Sequence, residues 1–323
     1  MNTGEMRVSL VRAGPSVPAM MRDMLLALAA LLVLPMVRTG LRPLVMAGAS
    51  VATAVVCTVL FQLIRRQNPL PGEGSAAVTG MLTALLLPLN APIWLPCVAS
   101  AFAVLAAKEP FGSFGRNPFN PAAAGIAFVT LCWPDKVFTF YDPAKPYALL
   151  PFGPCFYQTV PSPASVLRSG LKPSIVPFDL LWGTQPGALG TTVMLVIGAC
   201  ALFLFASRAA KPEITLAFLA SAALGAALFP RIACSPLTSV KYELLTGSLL
   251  FCAVFLATDP VTSPRTAAGR CVYGALAGAL VLLFRWFGAY EQGECFALLL
   301  ANAAVPVIDE AACRIRGLGG RNR

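Results

Sequence analysis

A chain of 323 residues in which 57% are hydrophobic and only 12% charged, at a mean hydropathy of +0.74, is too apolar for a water-soluble domain and belongs in lipid. Its formal charge of +10 does not mark a nucleic-acid binder, because the basic residues fall singly or in pairs between apolar runs, without a basic stripe or interleaved aromatics. The lack of histidine excludes His-ligated haem, a Ser-His pair and the commonest zinc ligand; if the chain handles electrons, the expected carrier is organic.

A crossing helix needs about 20 mostly apolar residues. Ten candidate spans follow in order: 20–37, 44–64, 75–90, 91–107, 119–133, 188–207, 212–230, 243–258, 267–288 and 294–309. The expected fold is an all-α polytopic membrane protein. Arg12 and Arg22 precede the first run as they would in a signal peptide, but no small-x-small cleavage site follows, so this run reads as a retained helix. Pro88, Pro92, Pro96 and Pro306 are expected to shorten or break the third, fourth and tenth spans.

Between the fourth and fifth spans lies Phe111-Gly-Ser-Phe-Gly-Arg-Asn-Pro-Phe-Asn-Pro-Ala-Ala-Ala-Gly125. Amides, an arginine and helix-breaking prolines at membrane depth are tolerated where they are folded inside protein and hold something. Asn117 and Asn120 each precede a proline, which suits helix capping; both also suit polar contact with a ligand, and the two roles are compatible. The long segment 134–187 follows, with Cys155 and the stretch Thr159-Val-Pro-Ser-Pro-Ala-Ser-Val-Leu-Arg-Ser-Gly170. At the end of the eighth span, Ala257-Thr-Asp-Pro-Val-Thr-Ser-Pro264 should stop the helix before Pro260 and leave carbonyls unpaired. Its Thr258 and Asp259 would suit a phosphate, a flavin or a cation. Asn302 sits inside the last span. The ten cysteines contain no CxxC pair and fall mostly within spans, as Cys57, Cys200, Cys252 and Cys271 do; they read as core packing, with neither a metal site nor disulfides expected.

Ten spans put both termini on one side. If that side is the cytoplasm, inside segments hold 15 of the 24 Lys and Arg residues and outside segments 9, which the positive-inside rule favours. Lys108 and Arg116 count among the inside topology signals. Two sequence echoes suggest a duplication: Val78-Thr-Gly with Leu245-Thr-Gly, and Phe111-Gly with Phe287-Gly, at offsets of 167 and 176 residues. Five spans per half would insert the halves in opposite orientation. The division expected is 1–133 as a first repeat, 134–187 as an extracytoplasmic loop and 188–323 as a second repeat.

The segments FGSFGRNPFNPAAAG, ATDPVTSPRTAAGR and FALLLANAAVPVIDE, in this order, make nearly the whole chain resemble the D subunit of the Rnf ion-translocating electron transport complex, a family shared with the B subunit of the sodium-pumping NADH:quinone reductase. The resemblance implies a bacterial inner-membrane component of a six-subunit assembly. That assembly moves electrons between reduced ferredoxin and NAD, coupled to sodium or proton transport, and no catalysis is expected from this chain alone. It also implies an FMN joined through a phosphoester in the outer loop by a flavin transferase. The matching stretch is Ser162-Pro-Ala-Ser165, so Ser165 is the candidate acceptor, with Pro163 where a small flexible residue is usual and Thr159 where the family has an acid. A second, non-covalent flavin, riboflavin or FMN, is implied within the bundle, which maps Asn117 and Asn120 toward the isoalloxazine edge. Two other readings remain open: a flavin-free secondary transporter, and a scaffold of the same fold that has lost its covalent flavin.

Overall fold

In the computed structural model, which describes residues 16–66, 74–112, 115–143 and 159–320, a helix or a bent helix pair lies in every one of the expected spans. The first half gives α1 (Val17–Thr39), α2 (Arg42–Ile64), α3 (Ser75–Leu85), α4 (Trp94–Ala107) and α5 (Pro121–Cys132). A middle section carries the short helices α6 (Pro134–Val137), α7 (Pro163–Arg168) and α8 (Pro177–Trp182). In it, β1 (Phe140–Tyr141) pairs antiparallel with β2 (Thr159–Val160). The second half gives α9 (Met194–Ala206), α10 (Pro212–Leu228), α11 (Pro236–Leu245), α12 (Leu249–Phe251) running into a π-helical turn Cys252–Leu256, α13 (Ala267–Phe287) and α14 (Glu294–Gly320). Cys155 lies outside the described residues, and the nine described cysteines are free thiols.

The chain is a multi-pass membrane protein, but its crossings are not uniform. Among the described residues, only α1, α2, α13 and the Glu294–Arg314 part of α14 are both long and apolar enough to span alone; α11 with Leu249–Leu256 makes a fifth candidate, bent by 69°. The 11 residues of α3 rise about 17 Å, little more than half of a 30 Å hydrocarbon core. α3 stops at Leu85 because Pro88 disfavours helical backbone just before it. The irregular chain beyond has its carbonyls claimed by protein: Leu189 and Gly190 donate their N–H groups to Leu87 O and Leu85 O at 3.0 and 2.8 Å. Arg42, buried at the start of α2, donates to Leu89 O and Ala91 O at 2.9 and 3.0 Å. Non-helical backbone survives at this depth because it is satisfied in this way. Pro306, by contrast, does not break the last helix, which runs through it as neighbouring helices allow in a bundle.

In the first half α2 packs on α3 and α4, and α4 on α5; in the second, α10 packs on α11 and α13, and α13 on α14. The halves meet chiefly through α1 on α9 and α5 on α14. Close approach demands small residues: a Cβ on Gly125 of α5 would stand 2.3 Å from the Ala99 carbonyl oxygen of α4. Outward faces carry large apolar side chains, among them Leu26 and Val33 on α1, Leu60 on α2, Leu202 on α9 and Leu283 on α13, as a lipid-facing belt requires.

The bend between α11 and α12 is held by one buried cation. Arg285 of α13 donates to Glu243 O and Thr246 O at 2.8 and 2.7 Å, the free carbonyls at the end of α11, and pairs with the Glu294 carboxylate at 2.6 Å and the Glu243 carboxylate at 3.3 Å. Gly247 makes the turn with φ of +67°, and a Cβ there would meet Arg285 Nη2 at 2.6 Å.

Candidate functional site

At the end of the bundle where α1, α3 and α5 begin, the helices leave a cavity of about 540 Å³, counting the space open to its mouth. Its walls are mostly apolar, with Met21, Met24, Val78, Leu82 and Phe255 among them. The polar lining is Ser75 and Thr79 of α3, Lys108, Asn117, Asn120 and Asp259. A largely apolar hollow with few convergent polar groups is the usual form of a small-molecule site.

Each polar group is positioned by a local structural cause. Asn120 is the N-cap of α5, its Oδ1 accepting from Ala123 N at 3.1 Å, with Pro121 at the first helical position. Its Nδ2 donates to Leu256 O at 3.1 Å, at the end of the π-helical turn, a carbonyl that also accepts from Asp259 N at 3.3 Å. The Asn120 backbone N–H donates to Asn302 Oδ1 at 3.0 Å, and Asn302 Nδ2 donates to Tyr273 Oη at 2.8 Å and Thr262 O at 3.3 Å. The N-cap asparagine of α5 thus ties the first half of the chain directly to the π-helical turn and α14 of the second, and through Asn302 to α13. Asn117, also buried, donates its Nδ2 to Phe119 O at 3.1 Å, which fixes the turn leading into α5.

Asp259 follows the end of the π-helical turn. Its Oδ1 accepts from Val261 N at 3.3 Å and its Oδ2 from the Thr262 hydroxyl at 3.1 Å. Burial pushes this carboxyl above its ordinary range, opposed by those two donors and by the Lys108 ammonium. Lys108 is itself buried and donates Nζ to the Ser75 hydroxyl at 2.9 Å.

Of the residues singled out in the sequence, Asn117, Asn120 and Asp259 meet at this cavity. Thr258 does not line it; its hydroxyl turns back to Val254 O within the buried turn. Ser165 lies elsewhere, in the first turn of α7, where Ser162 caps by accepting from Ser165 N at 3.0 Å and the Ser165 hydroxyl donates to Ser162 O at 2.8 Å. In that turn Pro163 holds the first helical position, which it favours. Three residues on from Ser165, Arg168 binds Gly288 O and Ala289 O just past the end of α13, whereas the Asn120–Asn302 network meets α13 at Tyr273. The 15 residues between Tyr273 and Gly288 rise about 22 Å, so Ser165 and the cavity lie at opposite ends of the bundle.

Sequence reasoning treated Lys108 as a topology charge; buried at the cavity wall, it is part of the site. The signal was its place in Lys108-Glu109-Pro110, directly between an apolar span and the Asn-Pro segment, where a lysine meant only for the interface has no need of burial.

Residues 7–316 match the model of the NQR2, RnfD, RnfE family. The chain belongs to that family. It is 34% identical over 289 residues to the D subunit of the ion-translocating oxidoreductase complex of Sodalis glossinidius, covering 80% of this chain and 82% of the relative. The protein of the same name from Escherichia fergusonii is 33% identical over 265 residues, covering 73% and 75%. That from Salmonella paratyphi B is 31% identical over 290 residues, covering 80% and 82%. The family match therefore spans both halves of the bundle and the loop between them.

Proposed function

We propose that the chain is the D-type membrane subunit of an ion-translocating oxidoreductase complex in a bacterial inner membrane, and that its cavity holds a non-covalent flavin, riboflavin or FMN. The observation that carries this reading is the convergence of Asn117 and Asn120 from one half and Asp259 from the other on one largely apolar hollow. The lining fits the group: mostly apolar walls suit a planar ring, and the polar side chains are few and grouped, as an imide edge requires. When bound, the flavin supplies the electron transfer. The protein supplies apolar walls that exclude water, and Asn117 and Asn120, whose carboxamides keep further donor and acceptor capacity for the ring's imide edge.

Ser165 is the proposed acceptor of a second, covalent FMN, attached as a phosphoester by a flavin transferase at the opposite end of the bundle. Its place in the segment between the two halves and its hydroxyl support this. The proposed architecture is two inverted five-helix repeats, 1–133 and 188–323, around the extracytoplasmic segment 134–187. Supporting it, the helices that join the halves are the first of each, α1 with α9, and the last of each, α5 with α14, as a two-fold axis requires. The second sequence echo also occupies equivalent places, Phe111 closing the turn after α4 and Phe287 closing α13. The first does not: Gly80 lies within α3, whereas Gly247 lies at the bend. The other subunits of the complex and the lipid bilayer are the proposed partners, and sodium or protons the transported ion.

The test is the flavin content of the purified complex before and after acid precipitation, with co-expression of the transferase. The expected result is flavin in both fractions, the precipitated part lost in Ser165→Ala. A colourless complex would return the chain to the secondary-transporter or scaffold readings.

A further inference from the structure

Where α1 ends and α9 begins, at the other end of α1 from the proposed flavin cavity, lies a second recess. It is formed by Leu34, Pro35 and Arg38 of α1, Tyr141 of β1, and the chain that leads into α9, including Gln185 and Thr192. α1 is long and apolar enough to cross a bilayer alone, and its 23 residues rise about 35 Å, so Arg38 in its last turn stands at the level of lipid headgroups. Beside the recess Val33 and Val37 of α1 and Leu195 of α9 are exposed apolar side chains, suited to acyl chains rather than water.

The polar groups of the recess are unequally satisfied. Arg38 donates from Nη1 to Gly183 O at 2.6 Å and from Nη2 to Trp182 O at 3.0 Å, which fixes its position and uses two of its five N–H groups. Tyr141 and Thr192 add two hydroxyls to the lining. Gln185 is buried, and its Nε2 donates to Thr192 O at 3.3 Å and Leu245 O at 3.4 Å. Those two carbonyls need the amide nitrogen, so the side chain cannot turn over, and its Oε1 is left enclosed without a partner. A buried acceptor in that state is costly, and a ligand that brings an N–H or O–H removes the cost.

We infer that this recess binds the headgroup of a membrane phospholipid: the phosphate oxygens accept from Arg38 and Tyr141, and a headgroup donor, the ethanolamine ammonium or a glycerol hydroxyl, reaches Gln185 Oε1. Arginine suits the phosphate because its planar fork keeps further donors after the two carbonyls are served. Recognition uses hydrogen-bond donors and one acceptor rather than net charge; Asp142, next to Tyr141 in the chain, is not among the lining residues. A choline headgroup carries the phosphate but no N–H or O–H, so it serves Arg38 and leaves Gln185 unpaired. The recess therefore discriminates between phospholipids as well as holding one.

The experiment adds dioctanoyl phosphatidylethanolamine, phosphatidylglycerol or phosphatidylcholine to the purified, delipidated complex in detergent and counts bound lipid by native mass spectrometry. Sodium phosphate and glycerol phosphate, added at equal concentration, separate a lipid from a free phosphate. The expected result is one saturable phospholipid per copy of this chain, with the ethanolamine and glycerol lipids held about tenfold more tightly than the choline lipid. Gln185→Leu should bring the three lipids to parity, and Tyr141→Phe should weaken all of them. No saturable lipid, or a choline lipid held as tightly as the others by the unmutated complex, overturns the inference whether or not the variants assemble. A preference that persists in Gln185→Leu overturns it too, since the selective lipid then sits elsewhere on the complex. Displacement of the lipid by either free phosphate at equal concentration also overturns it and assigns the recess to a soluble phosphate compound.

Discussion

At the scale of single residues, the end of the bundle away from the cavity carries its own titrating group. Glu291, buried in the turn between α13 and α14, accepts the Ser162 hydroxyl on Oε2 at 2.9 Å, while its Oε1 is enclosed without a partner. Burial, with help from the Glu294 carboxylate, pushes the Glu291 carboxyl up to about 7 against the opposing pull of Ser162, Arg168 and Arg285. A carboxyl raised in the folded state favours folding when protonated. Its contribution is complete below the ordinary glutamate range and is lost as pH rises through about 7. Thermal unfolding of the detergent-solubilised protein should therefore show a loss of about 1–3 kcal/mol between pH 5 and 8 that Glu291→Gln removes. An unchanged slope in the variant would assign the pH dependence to other groups. Nothing in the sequence announced Glu291, because its environment is made by Ser162, 129 residues away. Asn120 was legible for the opposite reason: an asparagine before a proline at a helix start is a local pattern, and the cap it predicts is present. What local pattern could not supply was its bond to Leu256 O, which depends on where a helix of the other half ends.

At the scale of elements, the bent pair α11–α12 is the feature the sequence misplaced. A continuous span over 243–258 was expected. Instead the helix begins at Pro236 and turns by 69° about Gly247, and Thr246-Gly247, read as a repeat echo, is the bend itself. Apolar periodicity does not distinguish a straight helix from two short ones when both are buried. Only the fate of the open carbonyls does, and these are taken by Arg285, which lies 42 residues from Glu243 and 39 from Thr246. Arg285→Gln should destabilise the bundle by about 3–5 kcal/mol, since it strands the buried Glu294 carboxylate without its cation and leaves Glu243 only the longer pair with Arg231 at 3.5 Å. Adding Glu294→Gln to that variant should recover part of the loss. A double variant no more stable than Arg285→Gln alone, measured in the same unfolding assay, would mean that the capped carbonyls rather than the ion pair govern this bend.

For the whole molecule, membrane class and the presence of helix within each apolar run were open to sequence reading, because both follow from composition and apolar run length. The lengths of α3, α4, α5 and α9 were not, since a helix that stops early is completed by irregular chain whose bonds come from distant residues such as Arg42. The proposed orientation is tested by reporter fusions at Arg323 and beside Ser165, which should report opposite sides of the membrane. Agreement between the two would rule out five crossings between Ser165 and Arg323, and with them the ten-span arrangement.

The separation of the two proposed flavin positions along α13, about 22 Å, has an electrical meaning. It is roughly three quarters of a 30 Å hydrocarbon core, so an electron passing between the two ends of the bundle would cross most of the transmembrane field. At about 2.3 kcal/mol per charge for each 100 mV across the full membrane, that passage would be worth about 1.7 kcal/mol per electron at 100 mV, gained or lost according to direction. With flavins at both proposed positions, electron flow between them would be electrogenic in itself, and the membrane voltage would act directly on their redox equilibrium even before any ion moves.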